Sequence, residues 1–415
     1  MLAKFPNEVL EHIMFYCKAE DKCATARCSK LFNTIMEPFM WEEVCIPSNL
    51  LTKRWNDDNL FIKFRHVKKM KICFNVPRLR TTKRHAARAK AYERIKKNLA
   101  KILDNIQPFR LSEAIVDICA STESLTSENF IQIMEKLTLL KRLDLIGLKL
   151  TEQAWKSIPN GLVHLGVNGG HSFRAYCNIT DKSIKEILER SHQLSSIECE
   201  LDLFQKGLSE DSLHHISKVE NITKLKIKFY VPPPLNLRWI VNLRNLKNLD
   251  LRGKVFPVEG NEIVIQICQN LPQLETLTLG GLKLVDGCFS EIHLLSNLTK
   301  LSIYKMSCLF GCRIFQFIKN VHTLRELSFD GYTFPKLVDI YETGCMLSDQ
   351  RRDELLKDIA FLNQLPNLRK IEILCAAHFD ISPIIVKGLC KEKKWIHQCQ
   401  DNIHTFFNTF TTRLI

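Results

Sequence analysis

The sequence predicts an α/β solenoid of about nine to eleven strand-plus-helix repeats, preceded by a short all-α unit. Three observations predict it. An apolar–x–x–apolar–x–apolar phrase recurs nine times. Helix-start signals recur between several of the phrases. A proline-started block of apolar residues at helical spacing opens the chain.

The phrases begin at Leu140, Leu162, Leu194, Ile222, Leu246, Leu274, Leu298, Leu324 and Leu368. The clearest copies are Leu246-Leu249-Leu251, Leu274-Leu277-Leu279, Leu298-Leu301-Ile303 and Leu324-Leu327-Phe329. Two weaker copies, Val67-Met70-Ile72 and Leu111-Ala114-Val116, precede them. Most intervals fall in the twenties, the length of one strand plus one helix in a stacked repeat. The alternation that closes each phrase is the period of a strand buried on one side. Its apolar side faces the core, and its other side lines a concave surface. Strands stack ~4.8 Å apart, which predicts a sheet on the order of 45–55 Å long, suited to a protein partner or an extended peptide. The longer interval from Leu324 to Leu368 holds an insertion over 331–347. A helix opened by Ser348-Asp349 follows, with Leu355, Leu356, Ile359 and Leu362 inward.

Helix starts are expected at Leu125-Thr126, Leu150-Thr151, Ile179-Thr180 and Leu208-Ser209. Each has an acid within the next two residues: Glu128, Glu152, Asp181 and Glu210. A Thr or Ser at that place accepts a hydrogen bond from the first helical turn, worth about 1 kcal/mol, and the acid complements the helix dipole. Apolar stripes at Ile263/Ile267, Phe289/Ile292/Leu295 and Ile314/Phe317/Ile318 predict further helices with their inner faces buried.

Composition narrows the function classes. The chain has 415 residues, 45% hydrophobic and 25% charged, ordinary values for a folded soluble protein. No stretch approaches the ~20 apolar residues of a membrane helix. Met1 runs directly into Phe5-Pro6-Asn7-Glu8 without an apolar signal segment, so an intracellular protein, cytoplasmic or nuclear, is expected. The 16 cysteines are scattered, with no CxxC pair. Cys308 and Cys312 lack a His or Cys partner at zinc-like spacing, and Cys199, Cys268 and Cys375 sit among apolar neighbours. They read as reduced core residues. No phosphate-binding glycine loop, nucleophile elbow or metal-spaced histidine pair occurs, so neither a catalytic residue, a cofactor nor a metal is expected.

Net charge is +14, and residues 78–101 carry +9 of it through ten Lys or Arg against Glu93. Residues 83–106 predict one long helix whose C-terminal half has an apolar stripe at Ile95, Leu99, Ile102 and Leu103. Three readings of the basic part stand: a solvated insertion between the first repeats, a nuclear-import or acidic-partner patch, or a nucleic-acid contact through phosphates. Aromatic interleaving is confined to Tyr92, so stacking on bases is not supported.

At the N-terminus, Pro6 starts a helix with Val9, Leu10 and Ile13 at helical spacing. Ala24, Cys28, Phe32 and Ile35 form a second stripe, and Pro38 and Trp41 close the unit. So many apolar residues exceed one buried face, and about 40 residues make a poor independent core. The unit therefore predicts a module that completes its core against a partner, with a helical cap of the solenoid as the other reading.

The repeats resemble leucine-rich repeats, especially the longer helix-bearing kind found in F-box proteins, and residues 5–41 resemble an F-box. Phe5-Pro6 replaces the family's Leu-Pro, Asp21 stands at the acidic position, and Ser29-Lys30-Leu31-Phe32 replaces Cys-Lys-x-aromatic. The repeats depart from their family as well: the Asn or Cys three positions after the third apolar residue is absent, so the turns must satisfy their backbone groups otherwise. The F-box/leucine-rich-repeat resemblance implies an F-box over 1–45, a first degenerate repeat and basic helical insertion over 46–110, the repeat solenoid over 111–375 and a C-terminal cap over 376–415. It implies a non-catalytic substrate-recognition subunit of an SCF-type (Skp–cullin–F-box) ubiquitin ligase. Phe5, Pro6, Val9, Leu10, Ile13, Phe32, Ile35, Pro38 and Trp41 would dock the Skp-type adaptor of the cullin complex. A repeat scaffold without a ubiquitin link, and a nucleic-acid-associated protein using 78–101, stay open as alternatives.

The concave positions between strand leucines are the candidate substrate contacts: Lys224, Lys226 and Lys228, then Asp250 and Arg252, then Lys300, Ser302 and Tyr304, then Glu326, Ser328 and Asp330. Of these, Lys224, Lys226, Lys228, Arg252, Lys300 and Tyr304 are the expected substrate-binding residues. The lysine ladder suits an acidic or phosphorylated protein segment, or is a solvated strand face.

Overall fold

Each repeated phrase contributes a strand, and the phrase residues whose burial is described lie inside. The computed structural model describes residues 42–47, 63–73, helical positions within 94–106, 111–117, 127–148, 150–168, 179–201, 210–229, 237–253, 258–284, 287–304, 307–308, 314–330, 361–374, 395–400 and 403–408. The predicted F-box residues, the 331–347 insertion and residues 78–93 lie outside them. Two units are distinguished, Met1–Leu194 and Ser195–Ile415.

In the first unit, β1 (Glu43–Pro47), β2 (Lys69–Cys73), β3 (Glu113–Asp117), β4 (Arg142–Ile146) and β5 (His164–Asn168) pair in chain order, all parallel. The register aligns Met70, Ala114, Leu143 and Leu165 in one buried row. Helices α1 (Ser127–Lys136), α2 (Glu152–Lys156) and α3 (Asp181–Arg190) fall between strands. Two of the predicted caps are present. Thr151 accepts from the Ala154 amide and Thr180 from the Ser183 amide. Phe130, Ile133, Met134 and Leu137 on and just after α1, and Ile184, Ile187 and Leu188 on α3, are buried at the i, i+3, i+4 spacing of an amphipathic helix. From the basic segment, helical residues are described from Arg94 to Asn105, with Ile102 buried and Asp104 paired to Lys136 of α1.

In the second unit, β6 (Ser196–Leu201), β7 (Lys224–Phe229), β8 (Asn248–Gly253), β10 (Thr276–Gly280), β12 (Lys300–Tyr304), β14 (Glu326–Asp330) and β15 (Lys370–Leu374) are parallel neighbours. Leu225, Leu249, Leu277, Leu301, Leu327 and Ile371 form one buried row, and Ile227, Leu251, Leu279, Ile303 and Phe329 the next. Burial of each such side chain contributes about 1.5–3 kcal/mol before entropy is counted. The sheet ends in an antiparallel hairpin: β17 (Ile403–Asn408) pairs with β15, and β16 (Trp395–Gln400) with β17. Only Asp401 and Asn402 separate β16 from β17, too short a connection for parallel pairing.

Helices α4 (Glu210–Ser217), α5 (Asn261–Asn270) and α6 (Ile314–Ile318) alternate with the strands. The expected helix at Phe289/Ile292/Leu295 differs: Ile292–Leu294 is a 3₁₀ turn, as are Leu237–Asn242 and Phe361–Gln364. Leu237/Ile240/Leu243, Phe289/Ile292/Leu295 and Leu362/Leu365/Leu368 are buried at every third residue, a spacing compatible with the tighter 3₁₀ turn.

Backbone groups at the start of each strand are satisfied by a repeated device. One carbonyl of each repeat accepts two successive amides of the next: Thr223 from Lys247 and Asn248, Lys247 from Glu275 and Thr276, Glu275 from Thr299 and Lys300, Thr299 from Arg325 and Glu326. A side-chain ladder accompanies it. Asn245, Asn297, Thr323 and Asn367, each just before the first leucine of its phrase, donate to the carbonyls of Glu220, Pro272, Leu298 and His322. The expected absence of Asn after the strand thus has its counterpart, a polar ladder before it.

Gly281 bends the chain from β10 into β11 (Leu282–Leu284), which joins β9 (Val258–Glu259) and β13 (Ser307–Cys308) in a small second parallel sheet. Its φ is +61°, its amide donates to Tyr304 O at 2.9 Å, and a Cβ there would overlap the Gly253 carbonyl. Gly287, at φ +94°, has open space around the same position. Gly287→Ala is expected to cost about 1–2 kcal/mol from the left-handed backbone alone. Gly281→Ala should cost measurably more, because the collision adds to the strain. Chemical denaturation of the two variants side by side checks this ordering.

Candidate functional site: the open face of the sheet

Strand alternation sends every second side chain away from the core, and in the second unit these form three rows. The central row runs Glu198, Lys226, Asp250, Thr278, Ser302, Ser328, Glu372 across the strands. One flanking row runs Ser196, Lys224, Asn248, Thr276, Lys300, Glu326, Lys370. The other includes Lys228, Arg252, Gly280 and Tyr304. All six predicted substrate-contact residues therefore share one face of one sheet.

Their electrostatics are more balanced than the lysine ladder suggests. Lys226 Nζ lies 2.6 Å from Glu198 Oε1, and Lys228 Nζ lies 3.9 Å from the same oxygen. Arg252 Nε donates to Asp250 at 2.7 Å, and its guanidinium sits 5.3 Å from the centre of the Tyr304 ring, reaching across the bare backbone of Gly280. Lys300 pairs with Glu326 at 2.9 Å and Lys370 with Glu372 at 2.5 Å. The hydrogen bond that Lys300 donates to Glu326 holds its ammonium above the ordinary value against the effect of burial, with the Glu326 and Glu372 charges adding to it. Burial pushes the Glu372 carboxyl up, but the hydrogen bond and charge of Lys370, with Ser328 and Lys300, outweigh it and hold the group below the ordinary value. Lys224 is exposed and has no ion-pair partner among the described residues. Sequence reasoning missed Glu198 and Thr278. Aligning the phrases would have found both, since each occupies the position between the second and third apolar residues.

The first unit's face carries a buried charged cluster, also not anticipated. Asp144 and His164 are 7% and 5% exposed, and their Oδ1 and Nε2 lie 2.9 Å apart. Arg142 Nε donates to Asp144 Oδ2 at 2.9 Å. Gly166 stands beside Asp144 in register, and a Cβ there would overlap the carboxylate. Burial pushes the Asp144 carboxyl up. The hydrogen bond and charge of His164 and of Arg142 outweigh that, and the group titrates below its ordinary value. Next to it, Lys69 lies between Glu43 at 2.8 Å and Glu113 at 3.9 Å.

Of the free cysteines, Cys45 is exposed. Cys199, Cys268 and Cys288 are buried, and burial pushes the Cys268 thiol up to about 12. Among the described residues, no group of three or more His, Cys, Asp or Glu is placed to hold a metal ion, and no helix is long and apolar enough to cross a membrane.

Residues 2–38 match the F-box domain family, which takes in eight of the nine predicted adaptor-docking residues and stops short of Trp41. The F-box match over residues 2–38 is thus followed in the chain by a parallel sheet built from a repeated leucine phrase. No curated protein matches it. Solved structures similar to it include an internalin from Listeria monocytogenes, 13% identical with TM-score 0.35, covering 78% of this chain and 85% of that one. Another is a leucine-rich repeat-containing protein from Legionella pneumophila, 13% identical with TM-score 0.38, covering 84% of this chain and 98% of that one.

Asp144→Asn is expected to cost about 1–3 kcal/mol near neutral pH, the worth of hydrogen bonds to a buried charge. Because the folded carboxyl titrates below its ordinary value of about 3.9, the wild type keeps this advantage above that pH and loses it as pH falls further. Urea titrations of both proteins at steps from about pH 5 to pH 3 should show the gap closing.

Proposed function

We propose that this F-box and leucine-rich-repeat chain is the substrate-recognition subunit of an SCF-type ubiquitin ligase. The observation that carries the reading is the F-box match at residues 2–38 joined to a sheet with a polar, accessible face. The F-box side chains Phe5, Pro6, Val9, Leu10, Ile13, Phe32, Ile35, Pro38 and Trp41 dock a Skp-type adaptor of the cullin complex, which supplies the apolar surface that a unit of about 40 residues lacks. The open face holds a protein substrate. Lys224, Lys226, Lys228, Arg252, Lys300 and Tyr304 are the contacts, and Lys224, without an ion-pair partner among the described residues, is the cation best able to engage an acidic or phosphorylated residue.

The chain itself performs no covalent chemistry in this reading. Holding a substrate near a ubiquitin-charged conjugating enzyme turns an encounter between two molecules into one within a complex, and the rate gain comes from effective concentration. Such a subunit works inside the cell, in cytoplasm or nucleus.

Two experiments test the halves separately. Full-length protein should co-purify with the Skp-type adaptor, and deletion of 1–45 or Leu10→Asp should abolish this. Retention of the adaptor by both variants would contradict the reading. Lys224→Glu with Lys228→Glu should weaken capture of a protein substrate in pull-downs while adaptor binding stays intact. Unchanged capture would remove these lysines from the contact surface.

A further inference from the structure

On the open face of the second unit there is one place where side chains shrink and charge disappears. Along the central row, Lys226 and Asp250 give way to Thr278, Ser302 and Ser328 before Glu372 restores charge. Gly280 adds bare backbone beside them. At ~4.8 Å between strands, the floor from Thr278 to Ser328 spans about 10 Å. Arg252 and Tyr304 flank it on one side, Lys300 and Glu326 on the other.

The hydroxyls make this more than a gap. Thr278 is 6% exposed and Ser302 2%, and among the described residues neither hydroxyl has a hydrogen-bond partner. Ser328 donates to Glu372 at 3.1 Å. Leu277, Leu279, Leu301 and Ile303 occupy the core side, so Thr278 and Ser302 point to the open side. Although most of each residue is buried, neither hydroxyl oxygen is shut off from the open side, so both are available to a partner from outside. Meanwhile the surrounding charges are matched pair by pair: Arg252 with Asp250, Lys300 with Glu326, Lys370 with Glu372.

We propose that this floor is the subsite for a neutral hydrogen-bonding side chain, Asn, Gln, Ser or Thr, of a substrate polypeptide lying extended across the face. The inference rests on the reading of the open face as the substrate surface, and not on adaptor docking. A hydroxyl both donates and accepts, and a carboxamide or hydroxyl answers both. An anion placed here would meet Asp250, Glu326 and Glu372. A cation would meet Arg252, Lys300 and Lys370. An apolar side chain would leave Thr278 and Ser302 unsatisfied, which is the basis on which a hydrogen-bonding site rejects an analogue that cannot bond.

The test uses a random nonapeptide library that includes phosphoserine, panned on immobilised full-length protein and on the Thr278→Val/Ser302→Ala variant. Wild type should enrich Asn, Gln, Ser or Thr at one fixed position by about tenfold over Asp, Glu, phosphoserine, Lys and Leu, and the variant should lose that preference. The variant should also melt no lower than wild type, since it gives up no internal hydrogen bond. Enrichment of charged or apolar residues, no positional preference, a preference that survives in the variant, or a lower melting temperature would each overturn the proposal. Adaptor co-purification is scored separately. Its failure with the peptide preference intact overturns the ligase reading and leaves the subsite standing, and the converse result removes the subsite alone.

Discussion

The parallel register of the strand leucines is the constraint on which everything else in the two sheets depends. Leu249, Leu277, Leu301 and Leu327 stand directly beside one another because each strand begins on a carbonyl shared by two amides of the next repeat. A slip of one residue would send these leucines to the open side and the lysines and glutamates to the core. The same register decides which open-side residues meet. Glu198 reaches Lys226, and Lys300 reaches Glu326, because they occupy equivalent positions in adjacent phrases.

Much of the scaffold was legible in the sequence because its signals are periodic. The strand phrases, the Thr151 and Thr180 caps and the buried i, i+3, i+4 stripes each follow from the spacing of a few residue types. Helix type was less legible: Phe289, Ile292 and Leu295 lie at a spacing that both an α-helix and a 3₁₀ turn can bury, and the chain forms a 3₁₀ turn there. The polar ladder of Asn245, Asn297, Thr323 and Asn367 was visible too, but only at the position before the phrase, where a comparison with Asn after the strand does not look.

The face was less legible because its chemistry is set between repeats that lie 22 to 44 residues apart. Read along one strand, Lys224, Lys226 and Lys228 form a cationic ladder. Read across the sheet, two of the three lie against Glu198. The buried Asp144–His164 pair and the unpartnered hydroxyls of Thr278 and Ser302 likewise arise only when strands are laid side by side. Surface ion pairs of this kind contribute little to stability, about 0–1 kcal/mol each, so their consequence is for recognition: they leave hydrogen bonding, more than net charge, as the unused capacity of the face.

The division of labour between an N-terminal docking unit and a separate recognition face is the central claim, and hydrogen–deuterium exchange reads it most directly. Full-length protein is labelled alone and with a purified Skp-type adaptor. The account predicts slowed exchange within residues 1–45 on adding the adaptor, with unchanged exchange in the strands from Lys224 to Leu374. No slowing within 1–45, or slowing centred on those strands, would contradict it.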